Sequence, residues 1–251
     1  MDPVLDLLLG ASCLGCARPG RLLCGACRAA LPRDAHPAGP DPRPAGLAPS
    51  FAATAYEGIV RDLVVGLKER RLLALRAPLG ALLADAVRAA VASVGGAGPV
   101  VLVPVPSRPG STRSRGHEPV PAVARRAAAL LRAGGADVVV VRLLRSRPGV
   151  VDQAGLDAVA RAANLDGSMC CPAPGLRRLA RRRPRARLVV CDDVLTTGAT
   201  AREAQRALES VGLRVAAVAA VAATRRRRPA VPAAGLGELS GGSLPCPWWT
   251  D

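Results

Sequence analysis

The sequence contains very few aromatic residues and a single lysine. Phenylalanine, tyrosine and tryptophan make up 2% of the 251 residues, although half of all residues are hydrophobic. The core must therefore be built from alanine, valine and leucine, which suits helices packed on a buried parallel sheet. Lys68 is the one lysine among 35 basic residues, so nearly all positive charge comes from arginine.

Long apolar runs are also missing. No run of roughly 18 apolar residues is free of charged residues. The first residues carry no basic stretch, and the apolar run at 7–9 is too short for a signal peptide. We therefore expect a cytoplasmic protein without membrane insertion. In that compartment the eight cysteines should be metal ligands or free thiols rather than disulfides.

The formal net charge is +16, which suggests an anionic partner such as nucleic acid, a phosphate compound or a membrane surface. An excess of arginine over lysine, together with abundant alanine, glycine and proline, is also typical of a GC-rich genome. The charge alone therefore does not distinguish DNA binding from binding of a phosphorylated substrate.

The chain divides into four predicted parts. Residues 1–31 hold four cysteines, and residues 32–50 have the proline, alanine and glycine content of a linker. Residues 51–224 have the pattern of an α/β domain. Residues 225–251 begin with four arginines and continue with proline and glycine, which predicts a disordered basic tail.

Strand-length apolar runs alternate with helical patterns through the third part. The strands are predicted at 100–105, 137–143, 187–192 and 214–222, and the helices at 58–69, 74–92, 119–133, 153–163 and 199–211. The strand runs are continuously apolar, as in strands buried on both faces. This alternation predicts a mostly parallel, doubly wound sheet flanked by helices.

The most informative segment runs from Arg187 to Thr200. An apolar strand leads into Asp192 and Asp193, and a Thr-Thr-Gly-Ala-Thr turn then leads into a helix. Small residues let backbone N–H groups approach a phosphate, and the helix N-terminus adds unpaired donors. Adjacent carboxylates repel a phosphate but accept hydrogen bonds from sugar hydroxyls. The segment therefore predicts a ribose 5-phosphate site, whereas an N-capped helix alone would explain only one of these residues.

This segment resembles the type I phosphoribosyltransferase family, and within it the ComF-type competence proteins. The resemblance implies that Asp192 and Asp193 hold the ribose hydroxyls of phosphoribosyl diphosphate and act as the catalytic pair. It also implies that five residues hold the 5′-phosphate: Thr196, Thr197, Gly198, Ala199 and Thr200.

Other segments extend the resemblance across about residues 10–224. The strand that ends in Pro-Val-Pro implies that Pro106, Ser107 and Arg108 lie near the diphosphate and its Mg²⁺. Lys68 follows a segment that resembles the opening of the family and is a predicted substrate ligand. Arg115, a further predicted substrate ligand, belongs to an Arg-Gly step typical of the family, but the Asn and Gln that usually follow are replaced by His117-Glu-Pro. Residues 153–164 are similar to the family's Gln…Arg…Asn segment, although a surface helix explains them equally well.

Four cysteines form two CxxC pairs near the N-terminus: Cys13, Cys16, Cys24 and Cys27. Four thiolates can close a tetrahedral Zn²⁺ site, and each CxxC pair lets one tight turn supply two ligands. A closed site has no open position for catalysis, so we expect a structural zinc.

Three functions remain open at this point. The first is an enzyme that binds phosphoribosyl diphosphate with Mg²⁺ and transfers the phosphoribosyl group to an unknown acceptor. The second, implied by the ComF resemblance, is a non-enzymatic accessory of DNA uptake in natural transformation. It would bind single-stranded DNA and work with a DNA-uptake helicase. The third is a sensor of phosphoribosyl diphosphate without turnover.

Overall fold

A computed structural model describes residues 11–107, 118–147, 167–183 and 185–224 of the chain. Several predictions lie outside the described residues. These are the ligand roles of Arg108 and Arg115, the helix at 153–163 and the basic tail at 225–251.

Within the described residues, the secondary structure begins with a short helix and ends with a long strand. The helices are α1 (Gly25–Ala29), α2 (Gly58–Lys68), α3 (Arg76–Val94, preceded by a 3₁₀ turn at Leu73–Leu75), α4 (Pro119–Ala133), α5 (Ala173–Arg182) and α6 (Ala199–Glu209). The strands are β1 (His36–Pro37), β2 (Ser50–Ala52), β3 (Val100–Pro104), β4 (Val138–Val140), β5 (Arg145–Ser146), β6 (Met169–Cys170), β7 (Arg187–Leu195) and β8 (Val215–Ala223).

Six strands form the main sheet in the order β1-β2-β8-β7-β3-β4. All neighbouring pairs are parallel except the edge pair β1–β2, which is antiparallel. The strands β5 and β6 form a separate antiparallel pair. The predicted mixed α/β architecture, with a mostly parallel sheet flanked by helices, is confirmed.

Successive residues of the central strands face opposite layers of the core. Val189 and Cys191 of β7 pack with α2, α3 and α4, whereas Leu188 and Val190 pack with α5 and α6. Because both faces are covered, β3 and β8 are apolar at every position and β7 is apolar from Leu188 to Cys191, as the sequence predicted. Phe51 is the one aromatic residue among the buried side chains that the structure describes.

Helix α2 shows how the sequence pattern sets the packing. Its apolar residues Val60, Leu63, Val64 and Leu67 recur at helical spacing and are buried in one layer of the core. The helix ends at Lys68, whose side chain is therefore delivered to the end of the packed face. This position matters for the site described below.

Residues 38–48, here called the strap, pack against the sheet and helix α6. The sequence predicted a linker over residues 32–50, but Leu47 and Ala48 are buried in the α6 layer of the core. The predicted linker at 32–50 also contains β1 and the first residue of β2. Proline and glycine do mark irregular backbone here, but tertiary contacts hold that backbone in place.

Helix α3 belongs to a stretch, Leu73–Val94, that is long and apolar enough to cross a membrane by length and composition alone. Half of its most apolar window is buried inside the fold. Its buried residues include Leu79, Leu82 and Leu83, which pack in the same core layer as α2 and α4. These contacts are those of a core helix.

Candidate functional site

The strand order reverses between β3 and β7. From β3 the chain proceeds outward to β4, and it then returns to β7 on the other side of β3. The helix after β3, α4, packs on one face of the sheet, and the helix after β7, α6, packs on the other. In open α/β sheets, the crevice at the carboxyl ends of two such strands is the usual place for a ligand.

Two buried carboxylates and one lysine meet at this edge. Asp192 and Asp193 are 8% and 7% exposed, near the end of β7. Nζ of Lys68 lies 2.9 Å from Oδ1 and 2.8 Å from Oδ2 of Asp193, and the Oδ1 contact has hydrogen-bond geometry. Among the described residues, no oriented donor reaches Oδ2. The structure thus brings together three predicted site residues, and Lys68 is 125 positions away from Asp193 in the sequence.

Backbone N–H groups hold the carboxylates in place. Oδ1 of Asp192 accepts from the N–H of Asp193 at 2.8 Å, and Oδ1 of Asp193 accepts from the N–H of Val194 at 2.7 Å. These contacts use only part of the acceptor capacity of each carboxylate. The pair can therefore accept further donors, such as hydroxyl groups.

Burial and neighbouring charges shift the pKa values of the groups at this edge. Burial, together with the charge of Asp193, raises the pKa of Asp192 well above its usual value. Burial alone would lower the pKa of Lys68, but the charge and hydrogen bond of Asp193 outweigh it and raise that pKa. A strongly perturbed carboxyl in a crevice is a common property of ligand sites.

The residues 196–200, called the 196–200 loop below, connect β7 to α6. Gly198 has φ of +74°, a conformation that favours glycine, and it precedes the first residue of α6. Oγ1 of Thr197 accepts a long hydrogen bond of 3.4 Å from the N–H of Ala199. Thr196 is exposed, while Thr197 and Thr200 are half-buried.

Several backbone donors of this loop are free. Among the described residues, no acceptor is found for the backbone N–H groups of Thr196, Thr197, Gly198 and Thr200. Free N–H groups at a helix N-terminus form a ready-made binding site for an anion. The chain therefore places an anion-binding loop directly after the two carboxylates.

Pro106 and Ser107 follow β3, the strand next to β7. The N–H of Val105 donates to the carbonyl of Cys191 at 2.9 Å, so the two strand ends lie side by side. Oγ of Ser146, on β5, donates to the carbonyl of Ser107 at 3.1 Å. The β5–β6 pair is thereby attached to the same edge of the sheet.

The Lys68→Met variant should destabilise the fold by about 1–2 kcal/mol, because Asp193 would keep a buried charge without its partner. The exposure of Lys68, 32% of its side chain, limits the effect. Urea unfolding at neutral pH measures the change. The Lys68→Met/Asp193→Asn double variant should recover part of the loss, and a purely additive result would show that the pair is not coupled.

The four predicted zinc ligands also converge. The Sγ atoms of Cys13, Cys16, Cys24 and Cys27 all lie within 4.8 Å of one another, and those of Cys16 and Cys24 are 3.7 Å apart. Four sulfurs bound to zinc at about 2.3 Å form a tetrahedron with edges of about 3.8 Å. The cluster therefore fits a metal ion with four thiolate ligands, and its donor set favours zinc.

Backbone donors surround the cluster as they do in a metal knuckle. The N–H groups of Gly15 and Cys24 both donate to Sγ of Cys13 at 3.4 Å. Burial opposes ionisation of Cys13, but these hydrogen bonds prevail and lower its pKa to about 6. A Cβ on Gly15 would lie 2.9 Å from Sγ of Cys27 and 2.5 Å from Cδ1 of Ile59, so only glycine fits between the cluster and α2.

No protein-family model matches the chain, and no curated protein matches its sequence.

The sequence did not reveal the polar contacts made by α6. Glu203, which is buried, accepts from the N–H of Met169 at 2.7 Å and from Nε of Arg206 at 2.6 Å, which ties β6 to the helix. Gln205 makes equally buried contacts to the strap. Two polar residues between alanines in an amphipathic helix are the only local signal of these roles.

Proposed function

We propose that the chain has the type I phosphoribosyltransferase fold and binds phosphoribosyl diphosphate at the β3–β7 crevice. One observation carries the proposal: a buried, incompletely satisfied carboxylate pair lies directly before a loop with four free N–H donors. Ribose 5-phosphate matches both halves of this arrangement, because its ring carries adjacent hydroxyls and its phosphate is attached through the exocyclic carbon.

Each part of the site has a separate task in this proposal. Asp192 and Asp193 accept hydrogen bonds from the ribose hydroxyls, while the 196–200 loop donates to the 5′-phosphate. Lys68 orients Asp193 through its hydrogen bond to Oδ1. Pro106 and Ser107 lie where the diphosphate would extend, and Arg108 follows them in the sequence.

Mg²⁺ is expected to accompany the diphosphate. It prefers oxygen ligands, which the diphosphate and the carboxylates of Asp192 and Asp193 can supply directly or through water. When bound, the ion offsets the negative charge that a diphosphate brings to an acidic edge.

The reaction we propose is transfer of the phosphoribosyl group to a nucleophile. The bond between the anomeric carbon and the diphosphate oxygen breaks, the acceptor takes its place on that carbon, and pyrophosphate leaves. Such a step depends on positioning and on stabilisation of the leaving group more than on a strong base. The described crevice, with carboxylates, a lysine and backbone donors, is suited to those tasks.

Calorimetric titration with phosphoribosyl diphosphate and Mg²⁺ tests the proposal. We expect one binding site per chain, with ribose 5-phosphate binding more weakly and inorganic phosphate more weakly still. Pyrophosphate release on addition of candidate nucleobases separates turnover from a sensor that only binds. Equal affinity for ribose 5-phosphate and inorganic phosphate would contradict a ribose site.

A second function, as a single-stranded-DNA-binding accessory of DNA uptake that works with a helicase, is favoured by one surface. Five exposed arginines lie on β5, on α5 and in the chain next to them: Arg142, Arg145, Arg147, Arg177 and Arg181. Arg142 pairs with Glu118, and Gly175 of α5 packs close to the chain before β5: a Cβ placed on it would lie 3.4 Å from Cδ2 of Leu143. DNA binding through several phosphates should weaken steeply with salt, and it should not change when Asp192 is replaced.

A further inference from the structure

The strap closes one side of the 196–200 loop. A Cβ placed on Gly198 would lie 2.8 Å from Cγ of Pro40, 3.1 Å from Cδ2 of Leu47 and 3.4 Å from Cδ of Pro44. Gly198 is thus buried against three side chains of the strap while its backbone has a positive φ. Displacement of the strap would remove the contacts that hold this glycine, and with it the adjoining N–H groups, in the observed conformation.

The strap has irregular backbone, and side chains of α6 hold it in place through hydrogen bonds. Its N–H at Ala48 donates to Oε1 of Gln205 at 2.8 Å, and its carbonyl at Gly46 accepts from Nε2 of Gln205 at 2.8 Å. Nε of Arg202 donates to the carbonyl of Ala45 at 3.0 Å. One side chain of α6 therefore satisfies a donor and an acceptor of the strap at the same time.

Gln205 is unusually placed for a glutamine. It is 4% exposed, and its Nε2 also donates to Oε1 of Glu209 at 2.7 Å, so both ends of the amide are satisfied. An apolar residue of similar size would fill the same space but would leave the strap's N–H and carbonyl without partners. A buried polar group without a partner is costly, so the strap would move away.

We propose that Gln205 is a positioning residue for phosphate binding: it fixes the strap, and the strap fixes the 196–200 loop in the conformation that presents its N–H groups. The role rests on the proposed function, because the anion that the loop receives is the 5′-phosphate. Gln205 acts through the strap and Gly198 and makes no contact with the ligand.

The test compares Gln205→Leu with Leu208→Val in the 251-residue chain. Leu208 is buried in the same core layer near the C-terminal end of α6. The loss of one methylene there gives a moderate loss of stability, while Gln205 keeps its hydrogen bonds to the strap. Calorimetry measures the affinity for inorganic phosphate and for ribose 5-phosphate. Amide hydrogen exchange is measured at Ala48 and at Arg202. The N–H of Arg202 donates to the carbonyl of Gly198 at 2.8 Å.

We expect Gln205→Leu to weaken both ligands by about the same factor, roughly tenfold, because the change acts on the phosphate end. Exchange at Ala48 and Arg202 should accelerate by about tenfold, and Leu208→Val should alter neither property. Unchanged affinity and exchange in Gln205→Leu would overturn the inference while leaving the site intact. Absence of ligand binding to the unaltered chain would instead overturn the proposed function and, with it, this role.

Discussion

Replacement of Cys13 by serine is expected to remove the bound zinc and to destabilise the whole described fold. Cys13 is 3% exposed and lies in the same core layer as Leu23, Leu31 and the apolar face of α2. Because binding of a structural metal is coupled to folding, a site left with three of its four thiolates would hold the surrounding turns less firmly. We expect a loss of about 3 kcal/mol or more in the free energy of unfolding.

Metal analysis of the purified protein and urea unfolding followed by circular dichroism measure these two effects. We expect close to one zinc per chain before the change and almost none after it. Cys170→Ser is the matched control, because Cys170 lies on β6, away from the cluster, where its Sγ contacts the carbonyl of Arg145. Full stability of a metal-free Cys13→Ser protein would show that the cluster does not bind a structural metal.

Asp192→Asn is expected to weaken the binding of ribose 5-phosphate by about thirtyfold, from the loss of roughly 2 kcal/mol of charge-assisted hydrogen bonding. The same change should leave the affinity for inorganic phosphate unchanged or raise it, because a carboxylate repels the anion. Calorimetric titrations of the two ligands measure the opposite effects. They separate a sugar-binding carboxylate from a general disruption of the site.

The folding stability of Asp192→Asn should rise, whereas its affinity for ribose 5-phosphate falls. Because burial raises the pKa of Asp192 in the folded state, the folded chain binds more protons than the unfolded chain between the two pKa values. Stability therefore falls as pH rises through that window, and it is lowest above it. The asparagine removes this cost and still accepts from the N–H of Asp193, so the variant should be more stable by about 1 kcal/mol at neutral pH.

A stable variant that loses ribose affinity would identify Asp192 as a residue kept for binding rather than for folding. A variant that is clearly less stable at neutral pH would contradict the assignment. The decisive comparison is urea unfolding of both proteins in a pH series that starts below the ordinary aspartate pKa of about 4 and rises to neutral pH.

The central strands and the carboxylate–loop segment were predictable because their signals are local. Continuous apolar runs at β3, β7 and β8 mark strands buried on both faces, and Gly198 marks the turn into α6. The edge strand β4 is shorter than the predicted 137–143, since it pairs with β3 alone. Local pattern cannot distinguish an edge position from a central one.

The strap and the position of Lys68 were not predictable in the same way. The strap is ordered by Gln205, which is 157 residues away from Ala48, and nothing in its proline-rich sequence indicates that partner. The unusual status of Lys68 as the only lysine was visible, but its contact with Asp193 depends on how α2 packs on the sheet. Two-residue strands such as β1 and β5 are too short to leave a periodic pattern.

The most direct test of the ribose-phosphate site is to map where the ligand binds. Titration of the isotope-labelled, zinc-loaded chain with ribose 5-phosphate, followed by amide chemical shifts, reports on each backbone N–H. The largest amide shifts are expected at Asp192, Asp193 and the 196–200 loop, and phosphoribosyl diphosphate with Mg²⁺ should extend them to Ser107. Shifts concentrated at Arg177 and Arg181, with the 196–200 loop unchanged, would contradict it.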